Sequence, residues 1–499
     1  MITIRISHIR LTGYSLLLIN ILVFFWTWLR WPIAIPAMCL LLIGTYKLMK
    51  NINEDQTVIL MSKKILLLIC GIMLAWTVFS GLGGALPQKH DLHWRNAIFH
   101  DLIEYSWPVC YADGYDSSLT YYIAFWIVPA VVGKIVTFLM NAQAGWLAAN
   151  VVYALYCTSI LCVVLLLIIS YFKATSMGRA LLVVTVLIFF SGMDIVPIVL
   201  HQLGEKSIFI GTHLEWWTNI QYSSNTTQLC WVFNQAIPAW LVTALFLHEQ
   251  RMNHYAFLGS LLLPYGPFPF VGLLFVMVIE ALDEFLNAVR RRQISMFFKQ
   301  IITMPNVLAV AVILPIYYLY YFSNTAISNN GFRMQMPESY LTFILVEFFI
   351  YALLIGGNYF KERLFRLSVI GLFFAPLFAL GSGQDFCMRA SIPLLFILMI
   401  YIIGFLLSNI TFSEQHKIQT EIIAIPLIVC LSLGALTPLT EYRESYTQII
   451  QSGSRTTRMA DGIGTLQNGN KMVRDNFITL NASESLFYRY LAKNDFLHD

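Results

Sequence analysis

Charge is what this sequence has least of. Lys, Arg, Asp and Glu make up only 12% of its 499 residues, about half the share of an ordinary soluble domain. Most of the chain therefore cannot present a water-facing surface. The net charge of +4 is too small to suggest nucleic acid as a partner. None of the eight cysteines has C-x-x-C spacing, and Cys39, Cys70, Cys157, Cys162 and Cys430 lie inside apolar runs; neither a zinc site nor a disulfide scaffold is expected. Gly and Pro show no period and no heptad is sustained, which removes collagenous and coiled-coil readings. What is present is apolar: 58% hydrophobic and 15% aromatic residues. The runs of eighteen or more are long enough, as helices, to cross a bilayer core of ~30 Å. The expected class is all-α, a polytopic transmembrane helical protein.

The basic start MITIRISHIR leads into an apolar run from about Tyr14 to Leu29, and a second begins at Pro32 without a convincing small-residue cleavage site between them. The first helix is therefore read as retained. Further runs lie near 32–50, 64–83, 146–172, 179–200, 234–248, 254–264 with 267–283, 305–323, 338–357, 366–380, 390–408 and 420–438, roughly thirteen crossings at the usual span length. Arg5 and Arg10, then Lys47, Lys50, Lys63 and Lys64, place the N-terminus and the second-to-third-helix loop in the cytosol. Reading 119–140 as a helix along the outer surface keeps Lys173, Arg179, Arg251, Arg290 to Arg292, Lys361, Arg363, Arg366 and Lys417 inside as well. The segment LLLPYGPFPFVGLL at 261–274 reads as two short half-helices meeting in a turn. The expected organisation is transmembrane helices over 1–83, an outer loop with juxtamembrane helices over 84–145, a helical core over 146–438, and an extracytoplasmic polar tail over 439–499, read as a small appended segment that is only partly helical. No internal repeat is found.

The scarce polar residues collect in three outer segments. In QKHDLHWRNAIFHDLIEYSWPV, a helix from about Asp91 sets Asp91 with Arg95 and Asn96 with His100 at i,i+4 spacing, opposite a stripe of Ile98, Leu102 and Tyr105 that can rest on the membrane. Asp91, His93, Arg95, His100 and Asp101 so gather at the surface, either as a solvated helix face or as a site where a carboxylate serves as general base beside groups that bind phosphate. In 201–235, Glu215 precedes Trp216 and Trp217 with His213, Tyr222 and Trp231 near in sequence; aromatic rings stack on sugars and also anchor proteins at headgroup level. In GSGQDFCMRASIP, a Gly-rich turn puts Asp385 and Arg389 four apart at the start of a span, suited to a phosphate or to a simple ion pair. Asp194 and Glu347, deeper in spans, are either functional acids or a packed polar pair.

Asp91 is followed by Trp107-Pro108, then by Tyr121, Tyr122, Pro129, Gly133 and Lys134, by NQAIPAWL at 234–241, by the break from Pro264 to Pro269, and by DFCMRASIP at 385–393. In this order the segments resemble the C-type (GT-C) membrane glycosyltransferases. The resemblance implies a polyprenyl-phosphate or pyrophosphate sugar donor, a glycan or lipid acceptor, an inverting transfer on the extracytoplasmic face of a bacterial inner membrane, and Asp91 as base with Asp101 as rival. Arg95, His100 and Arg389 would then face the departing phosphate, with His93, Glu215, Trp217 and Asp385 among the substrate-binding residues. Metal dependence varies among such enzymes, so the cofactor is left unknown. A polysaccharide polymerase or ligase, or a lipid-linked saccharide flippase, is the alternative; a secondary transporter is opposed by the lack of a repeat.

Overall fold

The computed structural model describes residues 1–111, 116–205, 213–249, 252–326, 331–380, 385–412, 418–452, 459–463 and 474–493. Arg251, Lys417 and the Gly-rich turn at 381–384 lie outside them. The chain is helical, and seven of its described helices are long and apolar enough to cross a membrane: Ile6–Trp28, Trp31–Asn53, Ala142–Phe172, Met304–Phe322, Tyr340–Tyr359, Ile392–Asn409 and Ile422–Ile450. Ile123–Leu139, Met177–Phe189 and Phe233–Leu247 are apolar but shorter. The class is that of a multi-pass helical membrane protein. Of the thirteen stretches expected to cross, seven reach crossing length as single apolar helices.

Strand Ile2–Arg5 pairs antiparallel with Val58–Met61, so the N-terminus and the second-to-third-helix loop share one end of the bundle. Segment 119–140 becomes a 3-10 turn, Ile123–Trp126, and a 13-residue helix, Ile127–Leu139. At 1.5 Å per residue that helix covers only ~20 Å, short of a bilayer core. Asn141 then reverses the chain, its Oδ1 accepting from the Ala144 amide at 2.9 Å to cap the next helix.

Two expectations change. The proline-rich stretch holds one short helix, Tyr255–Leu262, and one full helix of 24 residues, Pro267–Arg290. Pro267 stands in the first turn, where proline's missing N–H costs nothing, so helix Pro267–Arg290 starts there and is not itself broken. The polar tail is not a loose appendage either. Helix Leu436–Ser452 continues the last span, and Ile478–Thr479 adds a third strand to Cys110–Tyr111 and Ser117–Leu119. Phe487 and Tyr488 are fully buried, Phe487 lying 5.0 Å from the Tyr320 ring, and each such ring contributes about 1.5–3 kcal/mol by leaving water.

Candidate functional site

The first polar segment forms a helix and brings Asp91 to Arg95 as its spacing predicts, but Asn96 donates to Gln88 and His100 meets Asp101 instead of one another. Asp91 stands at the N-terminus of helix Leu92–Glu104 but makes no capping bond there, which leaves its carboxylate half-exposed and available to a neighbour. Arg95, one turn later, is buried; its Nη2 lies 3.9 Å from Asp91 Oδ2 and its Nε donates to the Trp231 carbonyl at 2.9 Å. Ile98 and Leu102 face protein, both fully buried, and only Tyr105 of the expected stripe remains exposed.

The second segment supplies a different carboxyl. Glu215, in the turn Leu214–Trp217, is 4% exposed. Its Oε1 accepts from the Ser224 amide at 2.8 Å, and Oε2 accepts from Gln221 Nε2. Ser224 in turn caps helix Asn225–Trp231, its Oγ accepting from the Thr227 amide at 2.9 Å. Burial, then the nearby Asp194 carboxylate, push the Glu215 pKa up to about 8 against the pull of these hydrogen bonds. At neutral pH this group is mostly a carboxylic acid.

The third segment brings a cation. In the single-turn helix Asp385–Ala390, Arg389 Nη2 meets Asp385 Oδ2 at 3.0 Å. Its guanidinium lies 6.0 Å from the Phe268 ring centre, and its buried Nε has no hydrogen-bond partner among the described residues. Helix Pro267–Arg290 holds this turn at backbone contact: a Cβ on Gly272 would stand 1.9 Å from the Ala390 carbonyl oxygen, so only glycine fits there.

These three segments, 294 positions apart from Asp91 to Asp385, close on one cavity of about 280 Å3. It is lined by His90, Asp91, His213, Glu215, Trp216, Gln221, Ser223, Thr227, Trp231, Val232, Asp385, Met388 and Arg389. Arg95 backs it through Asp91 and Trp231. Other expected site residues lie elsewhere. Asp101 is fully buried and accepts from Tyr111 Oη at 2.8 Å and the Ile463 amide at 3.0 Å, with His100 Nδ1 at 3.0 Å; it clamps the tail and does not line the cavity. His100 belongs to that clamp, and His93 is exposed outside the lining. Trp217 turns inward to donate from Nε1 to Asp194 at 3.3 Å, so the wall is Trp216.

One feature of the wall is not foreshadowed by the sequence pattern. Lys89 Nζ lies 2.9 Å from Glu441 Oε2 and also bonds Glu444, while His213 Nδ1 lies 2.9 Å from Glu441 Oε1. Trp231 Nε1 donates to Glu441 at 3.3 Å. Burial disfavours the Lys89 ammonium, but Glu441 and Glu444 more than reverse that and hold its pKa above the usual lysine value. His213, Glu441 and Glu444 offer ligand atoms within 4.8 Å of one another. Lys89 and His213 both already engage the two carboxylates, so this is an ion network, and no metal is assigned to it. No protein-family model, no curated protein and no solved structure matches the chain.

Proposed function

We propose that the chain is a membrane glycosyltransferase that moves a sugar from a polyprenyl-phosphate or pyrophosphate donor to an acceptor hydroxyl. The observation that carries this reading is the convergence of Asp91, Glu215 and Arg389 on one cavity. Among the carboxyls there, Glu215 is mostly protonated at neutral pH and Asp385 is engaged by Arg389. Asp91, half-exposed and only 3.9 Å from the Arg95 guanidinium where Asp385 is held at 3.0 Å by Arg389, is left as the base that takes the acceptor's proton while the acceptor oxygen attacks the anomeric carbon. The C–O bond to phosphate breaks with its electron pair leaving on the phosphate, and Arg389 meets that charge. Trp216 and Trp231 offer faces for a sugar ring. Displacement from the opposite side inverts the anomeric carbon. The Lys/Arg pattern supports a cytosolic N-terminus and a cavity on the outer face, and the resemblance to GT-C enzymes supports a bacterial inner membrane as the location.

The test is transfer of labelled sugar from polyprenyl-phosphate donors by purified protein in lipid. Wild type should transfer, Asp91→Asn should not, and donor binding should survive in the variant. A polymerase or ligase instead extends an oligosaccharide chain, and a flippase moves donor across the bilayer without breaking the phosphate–sugar bond.

A further inference from the structure

Behind the cavity wall lies an acid cluster that the proposed transfer does not use. Asp194 sits in the break between helices Met177–Phe189 and Ile195–Glu205 and is 1% exposed. Its Oδ2 accepts from Thr437 Oγ1 at 2.8 Å and from Ser191 Oγ at 3.4 Å, and its Oδ1 from Trp217 Nε1 at 3.3 Å. Glu347, 2% exposed, occupies a π-turn, Leu345–Phe349, inside the span Tyr340–Tyr359. Such turns insert one residue into a helix and occur frequently at functional sites. The Met193 amide donates to the Val346 carbonyl at 3.0 Å, and the Glu347 carboxyl lies so close to Gly192 that a Cβ there would be 2.0 Å from Oε2.

The carboxyls of Asp194 and Glu347 lie against one another with Trp217 beside both, and among the described residues Glu347 Oε2 has no hydrogen-bond partner. Two carboxyl oxygens attract one another only when one of them carries a proton. Among the described residues neither acid forms a salt bridge to a cation. Trp217 joins this pair to Glu215, two residues earlier, and the charge of Asp194 reaches Glu215 directly. The other charged or titratable groups about Glu215 are His90, Asp91, His213, Asp385 and Arg389 on the cavity wall and the Cys230 thiol on helix Asn225–Trp231; Tyr222, Tyr351 and Cys387 face Glu347. Of the cations, His213 is engaged by Glu441 and Arg389 by Asp385.

We propose that Glu347, Asp194 and Glu215 form one proton-holding unit, which keeps a proton inside the protein and presents it to the cavity through Glu215 as a hydrogen-bond donor to a ligand oxygen. A carboxylate at that position could only accept. The unit does not depend on which reaction the cavity performs, and it can be read without substrate.

The experiment is infrared difference spectroscopy of the full chain in lipid, following the carbonyl stretch of protonated carboxyl groups through a pH titration. A protonated band should be present at neutral pH and fade with a midpoint near 8. Glu215→Gln should abolish that transition. Asp194→Asn removes the charge that reaches Glu215 and should keep the transition but lower its midpoint by about one unit or more; Glu347→Gln and Trp217→Phe, which change the hydrogen bonding around Asp194 but not its charge, should move it less. A wild-type protein without the band at neutral pH overturns the proposal without any variant. So does a transition that survives Glu215→Gln, or a midpoint that none of the other substitutions moves.

Discussion

Replacing Lys89 by methionine keeps most of its length and removes its charge. The ammonium and the Glu441 carboxylate are each 3% exposed, and Glu444 is 21% exposed. Removing the cation leaves two carboxylates held by His213 and by the neutral donors Trp231 and Gln448. Breaking one side of a buried ion pair costs about 3–5 kcal/mol, because the other charge stays out of water without compensation. The lower end applies here, since Glu444 can still find solvent. A second substitution, Glu441→Gln, removes the stranded charge and should restore part of the stability. Reversible denaturant unfolding of purified protein in mixed micelles measures all four corners of the cycle. A loss below about 1 kcal/mol, or no coupling to Glu441, would refute the view that this network holds the cavity wall.

Asp91→Asn should lower sugar transfer at least ~100-fold with donor binding retained, whereas Asp101→Asn should loosen the tail at 459–463, seen as faster amide exchange, and spare the cavity. Arg389→Lys keeps the charge but loses the planar fork, so polyprenyl-phosphate affinity should fall, and Arg389→Ala should cost more, on the order of 2–4 kcal/mol; unchanged affinity in the alanine variant removes the phosphate role. Because Glu215 holds its proton up to about pH 8 when folded and releases it near the ordinary glutamate value when unfolded, its contribution to stability is full at low pH. It declines as pH rises towards 8, and Glu215→Gln should flatten that part of the unfolding profile.

The helical class and the three polar segments are legible because the chain has so little charge: a cluster such as Asp91 to Asp101 stands out against apolar runs. Which residue of each segment faces the cavity is less legible. Asp101 lies ten residues after Asp91, about 80° short of a whole number of turns and nearly three turns along the axis, so it points into the tail. Trp216 and Trp217 are adjacent, and a 3-10 turn sends them in opposite directions. Lys89 and Glu441 are 352 positions apart in sequence, and no local period connects them. The tail reads as an appendage because polar residues look alike whether they meet water or another charge. The π-turn that aims Glu347 leaves no mark in an apolar run.

Charge balance around the cavity leads to one more expectation. Each cation there already has an anion: Arg95 has Asp91, Arg389 has Asp385, and Lys89 has Glu441 with Glu444. A phosphate arriving at Arg389 must therefore share or displace the Asp385 carboxylate, which is 54% exposed and weakly held by comparison with a buried partner. Asp385→Asn keeps the side-chain size and removes the competing charge. An exposed carboxylate of this kind is worth roughly 0.5–1 kcal/mol to its partner, so its removal should tighten polyprenyl-phosphate binding about two- to five-fold. The opposite view is that Asp385 orients the guanidinium for its ligand, in which case Asp385→Asn weakens binding. Equilibrium binding of a fluorescent polyprenyl phosphate to both proteins at two ionic strengths separates them, since competition by an exposed charge should shrink as salt rises. Weaker binding in the variant would show that Asp385 is a support for Arg389 and not its rival ligand.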